Sequence, residues 1–514
     1  MTKYDVAILG GGLAGNLLAR QLRRTVPEAS IALFEKDEET SWKVGESTVE
    51  IASSYLTRRL GLSTYLYDQQ LPKNGLRFFF DTPDKSAELT AMSELGSNHL
   101  PRHPTFQLDR ARLEADLRRF NVELGADMHV GWTVRDVEIV DGDHVVTVRG
   151  AGEEKTVRAR WVVDATGRAS TIARKLDLRV TAPHPLASVW ARFADIVDLD
   201  DLPAPEWRAR VRHTSRVLST NHFCYPGYWI WLIPLARGVT SVGIVGEKGV
   251  FREGSRAAEG FRALLDEHRA VRDVLAPGEL LDVGGYTQLA YGTKRFFGRE
   301  RWALIGDAAA FSDPFYSPGS DYISIENDLV TDLIRRDLRG GASNETSESL
   351  SEVVDLYDDF MQFRFAATLL LYRGQYQCLG SFPILRLKWN FDIGCYYNLW
   401  LDSYLRDAHL DLREVRAQLR RKTWILEALS SFRDLFEHLA TELKARGTYY
   451  DRNLGEYNNG TDCLHFQEEI GRPRKRREIN ARSAEVFDLV RRGAMELLGA
   501  RELPMPDLAL LGEA

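Results

Sequence analysis

Tyr4-Asp5-Val6-Ala7-Ile8-Leu9-Gly10-Gly11-Gly12-Leu13-Ala14-Gly15 is the stretch that decides the fold of this chain. The residues before the glycines form a short, largely apolar run, the pattern of a strand buried in a parallel sheet. A helical run follows from Asn16 to about Arg24, then a second strand, Ile31-Ala32-Leu33-Phe34, which ends at Glu35. Gly10 permits a tight turn, Gly12 lets a pyrophosphate approach bare backbone, and Gly15 lets the helix lie close on the strand. The helix N-terminus then offers unpaired N–H groups and the positive end of the helix dipole to phosphates. Glu35, followed by Lys36, stands where an acid accepts hydrogen bonds from a ribose diol. Any tight strand–helix turn can show three glycines. Strand, glycines, helix, second strand and terminal acid in this order specify a dinucleotide site.

The composition sets bounds. At 514 residues the chain is too long for one compact core, and two or three domains are expected. It is 44% hydrophobic and 27% charged with a net charge of −7, so no basic field argues for nucleic acid. Cys224, Cys378, Cys395 and Cys463 are scattered, without metal or redox spacing, and read as buried thiols of a cytoplasmic protein. No metal site is expected. No apolar run reaches membrane-spanning length, and a strand that begins at residue 4 leaves no room for a leader ahead of it. No internal repeat is present.

Further along, Trp42-Lys43-Val44-Gly45-Glu46-Ser47-Thr48 is a polar turn before a helix expected over Glu50 to Leu60, which Ser47 or Thr48 would cap. Leu71-Pro72-Lys73-Asn74-Gly75 reads as a turn before the strand Leu76 to Phe80, and Lys73 by itself reads as a solvated turn lysine. A helix is expected from Gln107 to about Leu124, taking in Arg110, and a hairpin from Val130 to Val148 around Asp141-Gly142-Asp143. Residues 185–292 are strand-rich and aromatic and suggest an inserted antiparallel sheet. Within it, Trp229, Trp231 and Ile233 alternate and should share one face. Gly340 to Thr346 reads as a linker or a loop, and about 350–500 as mostly helical. The aromatics there, including Trp389, Phe391, Tyr396, Tyr397 and Trp400, read first as core, with substrate covering the second reading. The basic run Arg472 to Arg477 is a solvated loop or a dock for an acidic partner.

Three segments end a strand at glycine: 10–15, Asp164-Ala165-Thr166-Gly167 and Leu304-Ile305-Gly306-Asp307-Ala308. In a doubly wound sheet ligands collect at the carboxyl ends of the strands, so all three can meet one cofactor. Together these motifs resemble FAD-binding proteins of the aromatic-hydroxylase superfamily. Trp229-Ile230-Trp231-Leu232-Ile233-Pro234 is similar to the Trp-x-Trp-x-Ile-Pro signature of flavin-dependent halogenases, and Lys73, before a glycine and an aromatic strand, to that family's catalytic lysine.

The resemblance spans about residues 3–340. It implies an α/β, Rossmann-like FAD domain over 1–340, with the inserted sheet, and a C-terminal helical region over 341–514 that covers substrate. FAD would act as FADH2, supplied by a separate NAD(P)H-dependent flavin reductase. Gly10, Gly12, Leu13, Ala14, Gly15, Glu35, Lys36, Glu46, Ser47, Arg110, Asp164, Gly167, Gly306, Asp307, Pro314 and Gly319 would bind the cofactor. Hypohalous acid, made from O2 and chloride or bromide, would be held by Lys73 and passed to an electron-rich ring. Trp229 and Trp231 would wall flavin from substrate, with Tyr316 and Ser317 along the path between them.

Tryptophan halogenases carry Pro-Leu-Glu-Ser-Thr-Gly where this chain has Pro314-Phe315-Tyr316-Ser317-Pro318-Gly319. Pro318 lacks an N–H, so the Gly319 and Ser320 amides are the expected halide donors. Tyr316 in place of glutamate argues against free tryptophan and for a phenolic small molecule, in secondary metabolism such as antibiotic biosynthesis. An aromatic hydroxylase, and a halogenase of a carrier-protein-tethered ring, are the competing readings.

Overall fold

The computed structural model describes residues 2–339, 348–460, 462 and 465–503. Its first sheet runs Phe297–Gly298, Trp302–Leu304, Glu153–Asp164, Lys3–Leu9, Ile31–Glu35, Asp127–Val130 in spatial order. The pairings from Trp302–Leu304 across to Asp127–Val130 are parallel. Val6 to Leu9 and Val162 to Asp164 are fully buried, as their apolar runs require. The register aligns the strand ends. Leu9 lies level with both Phe34 and Asp164, and Asp164 with Leu304, so the three glycine turns leave the sheet at one edge. The expected hairpin is present as Thr133–Glu138 against His144–Gly150.

The second sheet departs from the sequence expectation. Leu186–Ala194, Thr220–Tyr225, Tyr228–Pro234, Val239–Glu247 and Glu279–Tyr286 fall within 185–292 and pair antiparallel to one another. Leu76–Phe80, Ser93–Gly96 and Tyr457–Asn458 join from outside that range, and Leu76–Phe80 runs parallel to Thr220–Tyr225. All five residues of Leu76–Phe80 are buried, so this strand needs a neighbour on each side. The alternation in Tyr228–Pro234 holds. Trp229, Trp231 and Ile233 belong to the main core, while Tyr228, Ile230 and Leu232 belong to a second core on the other face.

Helix Glu50–Ser54 continues as a π-helical turn, Tyr55–Arg59, rather than as one regular helix. Neither Ser47 nor Thr48 caps it. Thr48 Oγ1 donates to Phe106 O at 2.8 Å, and the helix N–H groups at Ile51 and Ala52 go to the Tyr396 hydroxyl (3.1 Å) and Asp321 Oδ1 (2.9 Å). The cap comes from over 250 residues away, which local pattern cannot show. The C-terminal helices include Leu350–Tyr372, opened by a Ser349/Glu352 capping box, Phe382–Cys395, Lys422–Ala445 and Arg476–Leu498. Phe382–Cys395 runs on into a second π-helical segment, Tyr396–Leu401. The linker expected at Gly340–Thr346 lies outside the described residues, as does Cys463; Cys224, Cys378 and Cys395 are buried thiols. Among the described residues no helix is long and apolar enough to cross a membrane.

The second sheet is held internally by Glu94, fully buried between Arg77 and Arg216, whose Nε and Nη2 donate at 2.9 Å. Removing the carboxylate strands two buried guanidinium groups. Glu94→Ala should therefore lose about 3–5 kcal/mol of stability, measured by urea denaturation.

Candidate active site

In the first glycine turn, Gly10 has φ +104°, and a Cβ there would lie 2.4 Å from Ala165 O; at Gly15 a Cβ would lie 2.0 Å from Gly10 O. Only glycine fits either position. At Gly12 nothing lies within 4 Å of a Cβ position, and helix Leu13–Thr25 starts there without a side-chain cap. The first-turn N–H groups of Leu13, Ala14 and Gly15 are thus left for an anion. Glu35 accepts from the N–H groups of Gly11 (2.6 Å) and Asp37 (3.0 Å), which fixes its carboxylate beside the turn. Lys36 pairs with Asp37 at 2.6 Å on the exposed surface.

The second and third turns are held differently. The Asp164 carboxylate accepts from Thr166 N and Oγ1 (3.0 and 2.6 Å) and Ile172 N (2.6 Å), so it shapes the Gly167 turn. Gly306 donates its N–H to Glu326, a buried acid whose carboxyl is pushed up to about 8 by burial. Asp307 is half-buried; burial raises its carboxyl, opposed by Arg168, Arg110 and Arg179 nearby. Arg110 donates to Val44 O and Glu114 at 2.9 Å, and Glu46 accepts from Arg192 at 2.7 Å.

A second uncapped helix start lies at Gly319–Leu338. Its N-cap, Pro318, has no N–H and no capping side chain, and nothing lies within 4 Å of a Cβ position at Gly319. Among the described residues the buried Ser320 hydroxyl has no hydrogen-bond partner. Two open glycines, two uncapped helix starts and an orphaned hydroxyl form a donor set suited to a pyrophosphate at the first start and to a small anion at the second.

Lys73 is no surface lysine. It ends the short strand Leu71–Lys73, is 1% exposed, and donates to Ser47 Oγ (2.9 Å) and Thr48 O (2.6 Å). Burial pulls its ammonium down from 10.5 to about 8, against the opposing charges of Glu50 and Asp321. His222, stacked on Phe78 at 4.8 Å, is held to about 3 by burial, so it stays neutral near that ammonium. An aromatic wall adjoins: Trp229 lies 5.7 Å from Trp231 and 5.2 Å from Phe315, and Tyr316 lies 4.7 Å from Phe315 and 5.9 Å from Trp389. Ser317, at φ +58°, turns the chain between them.

The C-terminal helices reach into this wall. The Tyr316 hydroxyl donates to Asp392 at 2.8 Å, and Asp392 pairs with Lys388 at 2.9 Å, both nearly fully buried. Trp229 Nε1 donates to the Tyr376 hydroxyl (3.1 Å), which donates to Asp313 (2.8 Å), also held by His184 (2.7 Å). Asp321 accepts from Tyr396 at 3.0 Å, Glu50 accepts from Tyr397 at 2.6 Å, and burial raises the Asp321 carboxyl to about 7. Asp392, Tyr376, Glu50 and Asp321 were invisible to motif reading; only the aromatic density of 350–400 hinted at them.

The family model described as FAD binding domain matches residues 3–320, well over half of the chain. A flavin-dependent halogenase of Dictyostelium discoideum, chlA, is 29% identical over 443 residues, covering 79% of this chain and 72% of the relative. The chain belongs to the flavin-dependent halogenase family of FAD-binding proteins. A 1H-pyrrole-2-carbonyl-[peptidyl-carrier protein] chlorinase of Pseudomonas fluorescens is 27% identical, covering 62% of this chain and 72% of that one. The crystal structure of halogenase PltM shares the fold at a TM-score of 0.67 and 18% identity, covering 98% of both chains. This halogenase uses FAD and halide, and the expected α/β FAD-binding architecture with a helical C-terminal region is the one observed.

The lowered Lys73 ammonium has a consequence for stability. Between about pH 8 and 10.5 the unfolded chain holds more protons at this position than the folded one, so stability rises with pH across that window and is reduced below it. Lys73→Met should flatten the dependence of Tm on pH in that window and leave Tm at pH 7 no lower than wild type.

Proposed function

We propose that this halogenase acts on a free, small phenolic ring in secondary metabolism, and that Lys73 carries the halogen to it. One observation carries the reading: a fully buried lysine, tied among the described residues to Ser47 and Thr48, beside an aromatic wall built on the Pro314–Ser320 turn. Bound FAD, reduced by a separate NAD(P)H-dependent flavin reductase, supplies with O2 and chloride or bromide the hypohalous acid. The residues 10–15, 164–167 and 304–307, with Glu35, Glu46, Ser47 and Arg110, hold that cofactor. Gly319 and Ser320 hold the halide, and 341–514 closes over the substrate.

Trp229 and Trp231 keep the substrate ring from the cofactor by bulk alone. A lysine depressed toward pH 8 has a neutral fraction at working pH. Its nitrogen takes the halogen from hypohalous acid; an N–X bond forms, the O–X bond breaks, and water leaves with the lysine proton. The ring carbon then takes the halogen, and the nitrogen regains a proton as the ring loses one. A phenol suits a site in which Tyr316 occupies the glutamate position, because its oxygen activates the ring directly.

A carrier-bound substrate is the second reading, favoured by the carrier-protein chlorinase relative. Against it, Arg474 in the basic run is committed inward to Asp402 at 2.9 Å and Asn398 at 3.2 Å, which breaks the run as a docking patch.

The test is mass spectrometry of free phenols incubated with the enzyme, FAD, a flavin reductase and bromide. Wild type should give the bromine isotope doublet. Lys73→Ala should lose about 100-fold or more of product while flavin oxidation continues. Oxygen addition without bromine would make the enzyme a hydroxylase.

A further inference from the structure

Four arginines are fully or nearly fully buried among the described residues: Arg77, Arg192, Arg216 and Arg364. Three are conventional. Arg77 and Arg216 pair with Glu94, and Arg192 with Glu46. Arg364, 8% exposed on helix Leu350–Tyr372, is the exception: among the described residues its guanidinium makes no hydrogen bond or ion pair, and its Nε is buried without an acceptor. A buried charge without a partner is costly and rarely kept without use.

Its surroundings suggest the use. The guanidinium carbon lies 4.2 Å from the centre of the Trp400 ring, a cation–π contact that uses none of its N–H groups. The groups that feel its charge are Tyr322, Asp321 and Tyr396, and Asp321 also feels Lys73. Asp321 and Tyr396 cap helix Glu50–Ser54, so both are anchored. Trp400 and Tyr396 belong to one of the two π-helical segments, a geometry that recurs at functional sites. Thus a buried guanidinium without an acceptor among the described residues shares the influence of Asp321 with the lysine.

We infer that Arg364 is the oxyanion anchor of the substrate pocket: it binds the ring through an anionic oxygen, the phenolate itself, and so presents an activated ring toward Lys73. This rests on the phenol reading above. The phenol proton passes to the Asp321 carboxylate, whose charge acts on both Lys73 and Arg364, and the phenolate oxygen then pairs with Arg364. The arrangement supplies ring activation without a carboxylate at position 316. A carboxylate borne on the ring offers the same chemistry to the guanidinium, so the experiment separates the two sources.

The experiment titrates FAD-loaded enzyme with 4-nitrophenol, 4-nitroanisole and 4-methoxybenzoate, one pH unit below the solution pKa of 4-nitrophenol. Wild type should develop the phenolate absorption band on binding and hold 4-nitrophenol about 30-fold more tightly than 4-nitroanisole. Arg364→Met should lose both the band and the preference, while Arg364→Lys, which keeps the charge, retains part of each. An Arg364-dependent preference confined to 4-methoxybenzoate keeps the oxyanion anchor and assigns it to a ring carboxylate. Equal affinity of wild type for all three probes overturns the anchor, whether or not the variants fold. Equal affinity with bromination intact sinks the Arg364 inference alone. Arg364-dependent binding without bromination of any phenol sinks the functional reading instead.

Discussion

Keeping a lysine ammonium out of water is the constraint on which this active site depends. Desolvation alone would leave Lys73 a liability, since an unpaired buried charge costs several kcal/mol. The fold offsets that cost partially, and in a particular way. Ser47 and Thr48 accept its hydrogen bonds, while Glu50 and Asp321 act on it from beyond ion-pair contact. The lysine is therefore held in place without being locked into its charged form. A direct carboxylate partner would have raised its affinity for the proton and blunted its nucleophilicity.

The same arrangement explains why the C-terminal helices belong to the site. Glu50 and Asp321, both in the N-terminal two thirds, are held by Tyr397 and Tyr396, and the tyrosine of the Pro314–Ser320 turn is held by Asp392. Trp229 is tied through Tyr376 to Asp313. Strand Tyr457–Asn458 also joins the sheet begun by Leu76–Phe80. The candidate site is thus buttressed by several sets of buried polar groups that reach it from the C-terminal helices. Partly satisfied networks of this kind destabilise a fold, and satisfied ones fix a single geometry.

The range of the forces involved decided how much of this was legible in the sequence. The first glycine turn could be read because strand, turn and helix lie within 15 residues and each glycine answers a local steric demand. The convergence of three turns came from the rule that parallel strands present their ligands at one edge, and the register agrees. The face shared by Trp229, Trp231 and Ile233 came from the two-residue period of a strand. Ser47 and Thr48 looked like caps because capping is a local pattern, yet distant side chains had taken that task. Lys73 looked solvated because nothing in Leu71 to Gly75 encodes the burial that strand Thr105–Gln107 and the Glu46–Thr48 turn impose on it. Asp164 and Gly167 read as cofactor residues; the Asp164 carboxylate also fastens the turn that carries Gly167, a task that local sequence does not show.

The central claim is that Lys73 itself retains the oxidising equivalent. The most direct measurement charges the enzyme with reduced FAD, O2 and bromide in the absence of phenol, removes small molecules by rapid desalting, and then adds phenol. If Lys73 carries the halogen, wild type transfers bromine to the late-added phenol after the flavin is fully reoxidised, and Lys73→Met transfers none. Equal transfer by both proteins, or none by a wild type that brominates when phenol is present throughout, would contradict that account.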